Sequence, residues 1–429
     1  MGKDKPYHKT VFPNGVRLIT IPVAGVGSIA TSVMVAVGSR YETPEINGVS
    51  HFLEHMVFKG TAKYPTTDDV NVIERQGGLQ NAYTDIDITN YHNKVLSTDW
   101  QLALDVNREL ALAPRLEQKY VDLERNVILE EMKRYEDEPA AKVEESFHQM
   151  LYPATSLGMR IIGEEKPLKA ASAVTLKTYH DRWYQPGSIV VVLAGKIDPA
   201  AEAKIKDQVT AWFGSLRANP SGTFVPVTDE QDKPRLTVVT KPDASQAHLM
   251  LGIRSFARSS KDRFAWSLFN LLMGVSFTSR LFRQIREKRG LCYHIRSSSS
   301  NWSDVGYWSI YAGVATDKVS EATAAILAEL TKAREKGITA AEVAVAKKRL
   351  KTILAFRSED PEFINEYYGR QELFGEPILS IADYIARIEA VTHEDVNSLL
   401  AKYITAKTLN MSLVWNRGKD EKLAGLLRL

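Results

Sequence analysis

The sequence predicts an α+β protein of two domains, each a mainly antiparallel sheet packed with helices, and three observations carry that prediction. Strand-like alternation with a tight-turn signal opens the chain, capped segments of 3.6-residue period follow, and one helix–strand pattern recurs half a chain later. The recurring pattern is "AVTLKTYHDRWYQPGSIVVVLAG" from Ala173 and "AVTHEDVNSLLAKYITAKTLNMSLVWN" from Ala390. Each copy reads as a capped helix, a Tyr-bearing helix end and an apolar strand, 217 residues apart (390 minus 173). Between them, 218–233 ("ANPSGTFVPVTDEQDK") loses periodicity and gathers Pro, Gly and acidic residues, as a linker does. Domains are therefore expected over 1–217 and 234–429.

Each element has its own signal. "HKTVFPNGVRLITIP" is an expected hairpin, two alternating runs around Pro13-Asn14-Gly15, where Asn-Gly supports the backbone of a tight turn. "SIATSVMVAVGS" at 28–39 alternates again and predicts a half-buried strand. "TTDDVNVIERQGG" predicts a helix that starts on the capping residues Thr66 to Asp69 and stops at Gly77-Gly78. A second helix is expected from Ser97 to just before Pro114. A third runs from about Leu116 to Arg134, and Pro139 should break or kink it.

Composition narrows the function. At 429 residues, 44% hydrophobic and 25% charged, the chain is an ordinary globular protein with material for two or more domains. The net charge of +3 is spread out, and the densest basic run, "RQIREKRG" at 283–290, has no aromatic interleaving, so no nucleic-acid partner is expected. The single cysteine, Cys292, excludes an intramolecular disulfide framework and a thiolate metal cage. The longest apolar runs, 188–195 and 269–275, are too short to span a bilayer, so no membrane association is expected. "MGKDKPYHKT" lacks the apolar core of a signal peptide, which makes the cytoplasm the expected compartment.

The chemistry concentrates in "HFLEH" at 51–55. His51 and His55 are four apart and share one helix face, so both imidazoles can reach a single point, and Glu54 projects from nearly the same face. Either histidine alone would read as an ordinary core or surface residue. Two histidines are half a catalytic zinc site, which usually takes three protein ligands and leaves one position open. The third should be a carboxylate from another helix, and "LERNVILEEM" at 123–132 offers Glu124, Glu130 and Glu131. Glu124 and Glu131, seven apart, share a face; Glu130 points about a quarter-turn away.

His51-x-x-Glu54-His55 followed by Glu131 resembles the inverted zinc motif of the pitrilysin/insulinase (M16) metallopeptidases. The Glu124-to-Glu131 spacing resembles the family's paired glutamates, and it selects Glu131 over Glu130 as ligand. "FKGT" at 58–61, "GGLQNAYT" at 77–84 and "LFRQIREKRGLCY" at 281–293 are similar to further family motifs in the family's order, so the resemblance covers nearly the whole chain. It is closest in kind to the short two-domain subunits of bacterial members similar to the mitochondrial processing peptidase.

The resemblance implies two homologous α+β domains that form half of a clamshell chamber. It implies one zinc ion per chain on His51, His55 and Glu131, with Glu54 as general base and Glu124 as a carboxylate behind the ligands. Arg286 and Tyr293 are the implied donors to substrate or oxyanion. Gly78, Asn81, Ala82 and Tyr83 are implied to bind an extended peptide substrate as an added strand. Because this chain carries both the zinc motif and the Arg/Tyr pair, a homodimer with active sites shared across subunits is expected. The implied activity is that of a zinc endopeptidase on short or unfolded peptides. The alternatives are a presequence-processing peptidase and a non-catalytic scaffold subunit of the same fold.

Overall fold

A computed structural model describes residues 5–219, 222–228, 231–418 and 421–427. The chain divides into two compact units, and neither is a contiguous half. The first comprises 1–131, 159–225 and 354–381; the second comprises 132–158, 226–353 and 382–429.

The sheet of the first unit is built from β1 (His8–Val11), β2 (Arg17–Pro22), β3 (Ser28–Val35), β4 (Leu79–Thr84), β5 (Thr89–Leu96) and β6 (Ile189–Gly195), in the order β1-β2-β6-β3-β5-β4. The expected hairpin is β1 and β2, paired antiparallel. β2 and β6 are the parallel pair, and the other neighbours are antiparallel. β6, "IVVVLAG", is buried at every position because it lies inside the sheet with apolar layers on both faces.

Adjacent residues of β3 show how the two faces are covered, since their side chains point to opposite sides. Thr31 donates to Asn93 Oδ1 at 2.7 Å and accepts from Asn107 Nδ2 at 2.9 Å, beneath the helix Trp100–Leu112. Ser32 donates to Asn365 Oδ1 at 2.6 Å on the other side, and Asn365 Nδ2 donates to the carbonyls of Ala30 and Val192. Asn365 belongs to the helix Pro361–Leu373, which comes from the C-terminal half of the chain. Its Ile364, Tyr368 and Leu373 pack with Ile19, Met34, Val190 and Val192 in one buried cluster.

The second unit has β7 (Arg235–Thr240), β8 (Ala247–Ser255), β9 (Cys292–Asn301), β10 (Gly306–Val314) and β11 (Asn410–Trp415), in the order β7-β11-β8-β10-β9. β7 and β11 are parallel and the rest antiparallel. Setting β1 aside, this is the order and direction pattern of the first sheet, strand for strand. The repeat read at Ala173 and Ala390 supplies the same sheet position twice. The helices Ala173–Trp183 and His393–Tyr403 both open on a capping box and lead to β6 and β11. This sheet is covered by the helix Pro139–Leu151, from the N-terminal half, which packs against β7, β8 and β11.

The two-domain α+β class is therefore observed, and the domains differ from 1–217 and 234–429 by an exchange of covering helices. The physical reason is that each apolar sheet face takes whichever apolar helix closes it, and chain order does not decide this. The linker region 218–233 contains neither helix nor strand among its described residues. The expected helix from Leu116 runs as Gln118–Asp137, hereafter α2, past the expected end at Arg134. Glu138 is extended, and Pro139 occupies the first turn of the next helix, where its missing N–H costs nothing. Among the described residues no helix is long and apolar enough to cross a membrane.

A contiguous N-terminal fragment should then be an incomplete unit. Residues 1–217 expressed alone will expose the apolar face around Met34, Val190 and Val192 and will aggregate. Adding a peptide spanning 354–381 should recover soluble material by gel filtration. A monodisperse, folded 1–217 fragment would contradict the exchange.

Candidate metal centre

The helix Val49–Val57, hereafter α1, turns the motif into a site by burying one side and presenting the other. Phe52, Leu53, Met56 and Val57 are fully buried, while His51, Glu54 and His55 stay partly exposed on the opposite face. The helix starts without a cap of its own. Its N-cap residue, Gly48, has φ +96°, and a Cβ there would lie 2.7 Å from Gly163 Cα. The cap comes instead from Glu42, a buried carboxylate. It accepts from the backbone N–H of Gly48 at 2.7 Å and of Ser50 at 2.8 Å, and from Asn47 Nδ2 at 2.9 Å. Burial pushes the Glu42 carboxyl up to about 7, against the pull of these donors.

α2 brings the carboxylates. Glu131 Oε2 lies 3.4 Å from His55 Nε2 and 3.9 Å from His51 Nε2. His51, His55 and Glu131 each offer a ligand atom, and these atoms all lie within 4.8 Å of one another. Four-coordinate zinc with bonds of about 2.1 Å holds its ligand atoms roughly 3.4 Å apart, so this donor set fits zinc with a small inward movement of His51. Glu130, the rejected alternative, is exposed. The Glu124 carboxylate accepts at one oxygen from His55 Nδ1–H at 3.2 Å, while Lys59 Nζ lies 2.7 Å from its other oxygen. A carboxylate on the Nδ1 side leaves Nε2 for a metal, the usual outer arrangement of a histidine ligand.

His51, His55 and Glu54 differ in their hold on a proton because their neighbours differ. Burial, reinforced by His55, pushes His51 down to about 3, so its imidazole is neutral and carries a free lone pair. For His55, burial acts to lower the pKa, but the hydrogen bond to Glu124 and the charges of Glu131 and Glu54 outweigh it and raise it. Burial raises the Glu54 carboxyl; Thr84 and His55 oppose that, and Glu131 adds to it. A carboxylate moved up from the ordinary range is better matched to taking and returning a proton near neutrality.

Thr84 closes β4, and among the described residues β4 is the edge of its sheet, paired only with β5. The expected substrate strand is thus an edge, packed beside α1. Gly78 precedes it because a Cβ there would lie 2.7 Å from Ile73 Cγ2 and 3.0 Å from Val95 Cγ1. Asn81 is exposed, and its Oδ1 accepts from the Ala82 N–H at 2.9 Å; Ala82 is buried on the opposite face. Tyr83 donates to Glu366 Oε1 at 3.0 Å.

Arg286 and Tyr293 belong to the second unit and meet each other there. Arg286 lies in the π-helical turn Phe282–Glu287, its guanidinium 4.7 Å from the Phe282 ring centre and 4.9 Å from that of Tyr293. Tyr293, near the start of the edge strand β9, is 78% exposed. Sequence reasoning missed Glu42, Lys59 and Thr84. No periodic or motif signal marks Glu42, which caps from outside the helix; Lys59 stood inside "FKGT" without a role.

The ligand set makes a sharp prediction. Glu131→Gln should lower zinc occupancy, measured by elemental analysis after chelation and reloading, while Glu130→Gln should leave it unchanged. Depletion by the Glu130 substitution alone would move the ligand to that position.

Residues 25–165 match the family profile "Insulinase (Peptidase family M16)", and residues 171–350 match "Peptidase M16 inactive domain". A Streptomyces coelicolor protein named "Uncharacterized zinc protease" is 31% identical over 411 residues, spanning 95% of this chain and 89% of that one. A Bacillus subtilis protein with the same style of name is 33% identical over 395 residues, 91% and 94% of the two chains. The Arabidopsis thaliana "Probable mitochondrial-processing peptidase subunit beta" is 28% identical over 415 residues, 94% and 77%. Among solved structures, a protease from Helicobacter pylori superposes with a TM-score of 0.88 at 22% identity, covering 95% of this chain and 99% of that one, which speaks to the fold. With a metal-fitting cluster on α1 and α2, a duplicated α+β architecture and relatives of this identity and coverage, the chain belongs to the insulinase (M16) family of peptidases.

Proposed function

We propose that the protein is a zinc-dependent endopeptidase that cleaves short or unfolded peptides bound as an added strand on β4. The observation that carries this reading is the convergence of His51, His55 and Glu131, with Glu54 on the same helix face and beside the edge strand. Relatives named zinc proteases support it. A scaffold role has no use for that cluster.

His51, His55 and Glu131 would hold the metal, and zinc bound there would polarise the scissile carbonyl and acidify the attacking water. Glu54 removes the proton of that water and passes it to the leaving amine. The free edge of β4 aligns the peptide through main-chain hydrogen bonds, which makes selection depend on an extended backbone more than on side chains. Arg286 and Tyr293 donate to the carbonyl oxygen as negative charge develops on it. The Arabidopsis relative's name favours one second reading, removal of targeting presequences; an amphipathic basic presequence cut at a single bond, against many cuts in a peptide library, would decide for it.

Glu54→Gln should retain zinc and lose ~10²–10⁴-fold or more in kcat on a quenched fluorescent peptide. Wild-type turnover in that variant would remove Glu54 from the base role.

The assembly completes the reading. Our proposal is a two-fold homodimer enclosing a chamber with two composite sites, each taking zinc and Glu54 from one subunit and Arg286 and Tyr293 from the other. Opening between subunits admits peptide and closure brings the pair to it. Glu54→Gln and Tyr293→Phe homodimers should each be nearly inactive. Mixed under subunit exchange, they should form heterodimers with one doubly damaged and one intact site, and activity should recover in proportion to the heterodimer fraction. Flat activity despite demonstrated exchange would sink the shared-site arrangement.

A further inference from the structure

We propose that Lys59 is a positioning residue for the metal centre, acting through Glu124 on His55; this inference rests on the zinc reading above. Three contacts link four residues in succession. Lys59 Nζ lies 2.7 Å from Glu124 Oε1, Glu124 Oε2 lies 3.2 Å from His55 Nδ1, and His55 Nε2 faces Glu131 at 3.4 Å. The Glu124 side chain is 8% exposed, so its two oxygens have few alternatives to these partners. A buried carboxylate held at both oxygens cannot swing, and its orientation fixes that of the imidazole. Lys59 supplies the second hold: with it, the Nδ1 side of His55 is committed to Glu124 and the Nε2 side to the metal.

The duplicated unit indicates that the fold itself does not require this cation. The helix Arg263–Gly274 lies between β8 and β9 as α1 lies between β3 and β4, and its sequence, "RFAWSLFNLLMG", contains no histidine and no acidic residue. The next four residues, Val275 to Thr278, carry no charge either. The helix is retained there while the ligand pair, the base and the following lysine are all absent. Lys59 therefore goes with the metal chemistry and not with the helix–sheet packing.

The test uses the full chain, stripped of metal and titrated with zinc against a chelating indicator. Lys59→Met keeps the apolar stem and removes the charge; it should weaken zinc binding by ~10-fold or more, the size seen when an outer partner of a metal ligand is lost. Lys59→Arg should recover most of the affinity. In a Glu124→Gln background the Lys59→Met change should cost nothing further, because the route through Glu124 is already broken. Lys59→Gln serves as the second neutral variant should the Met variant fold poorly, as judged by the thermal midpoint of the metal-free protein. Wild-type zinc affinity in a neutral Lys59 variant overturns the inference, and so does a loss of equal size in the Glu124→Gln background. A wild-type chain that takes up no zinc overturns the peptidase reading together with this one.

Discussion

The buried carboxylate of Glu42 holds the first turn of α1, and the metal centre depends on where that turn begins. A nine-residue helix is too short to be stable from propensity alone, and its own N-cap is a glycine without a side chain. Glu42 satisfies the N–H groups of Gly48 and Ser50 and ties in Asn47, so the start of the helix is fixed from outside. Phe52, Leu53, Met56 and Val57 then fix its rotation by burial. With both set, His51 and His55 are brought to the carboxylates of α2 and Glu54 to Thr84 at the end of β4. The cost of burying Glu42 is visible in its raised pKa, and three donors offset it.

Three carboxylates gather within one small volume, Glu54, Glu124 and Glu131, and they take different parts because their neighbours differ. Glu124 is the most buried and is paired on both oxygens, which suits a group that orients others. Glu131 faces the two Nε2 atoms. Glu54 sits on the helix face beside the edge strand, where burial raises its affinity for a proton. In the peptidase proposed here, position relative to α1, not residue type, separates ligand, support and base.

Duplication gives one architecture two different surfaces. Both sheets share one strand order, yet the helix after β3 carries polar chemistry and the helix after β8 is apolar, with Trp266, Leu268, Phe269 and Leu271 buried in the core. The second unit instead presents an arginine and a tyrosine at its edge strand. That contrast agrees with the separate description of the C-terminal match as an inactive domain.

By itself the sequence determined what local spacing can determine. Residues four apart share a helix face, so HFLEH brought two imidazoles and a carboxylate to one side of a helix. Residues seven apart share one too, which put Glu124 and Glu131 together. The choice of Glu131 over Glu130 and the part given to Glu54 came from the family resemblance. Turn residues at Pro13 to Gly15 marked a real hairpin, and the two stretches read as capped helices, from Ala173 and Ala390, do each hold a helix that opens on a capping box. Tertiary structure alone decided the exchange of the helices Pro139–Leu151 and Pro361–Leu373, the capping of α1 by Glu42 and the hold of Lys59 on Glu124. An apolar helix face fits many apolar surfaces, and a charged side chain many opposite charges, so neither names its partner in sequence. The partner is chosen when the whole chain finds the packing that leaves the fewest apolar faces open and the fewest buried polar groups unmatched.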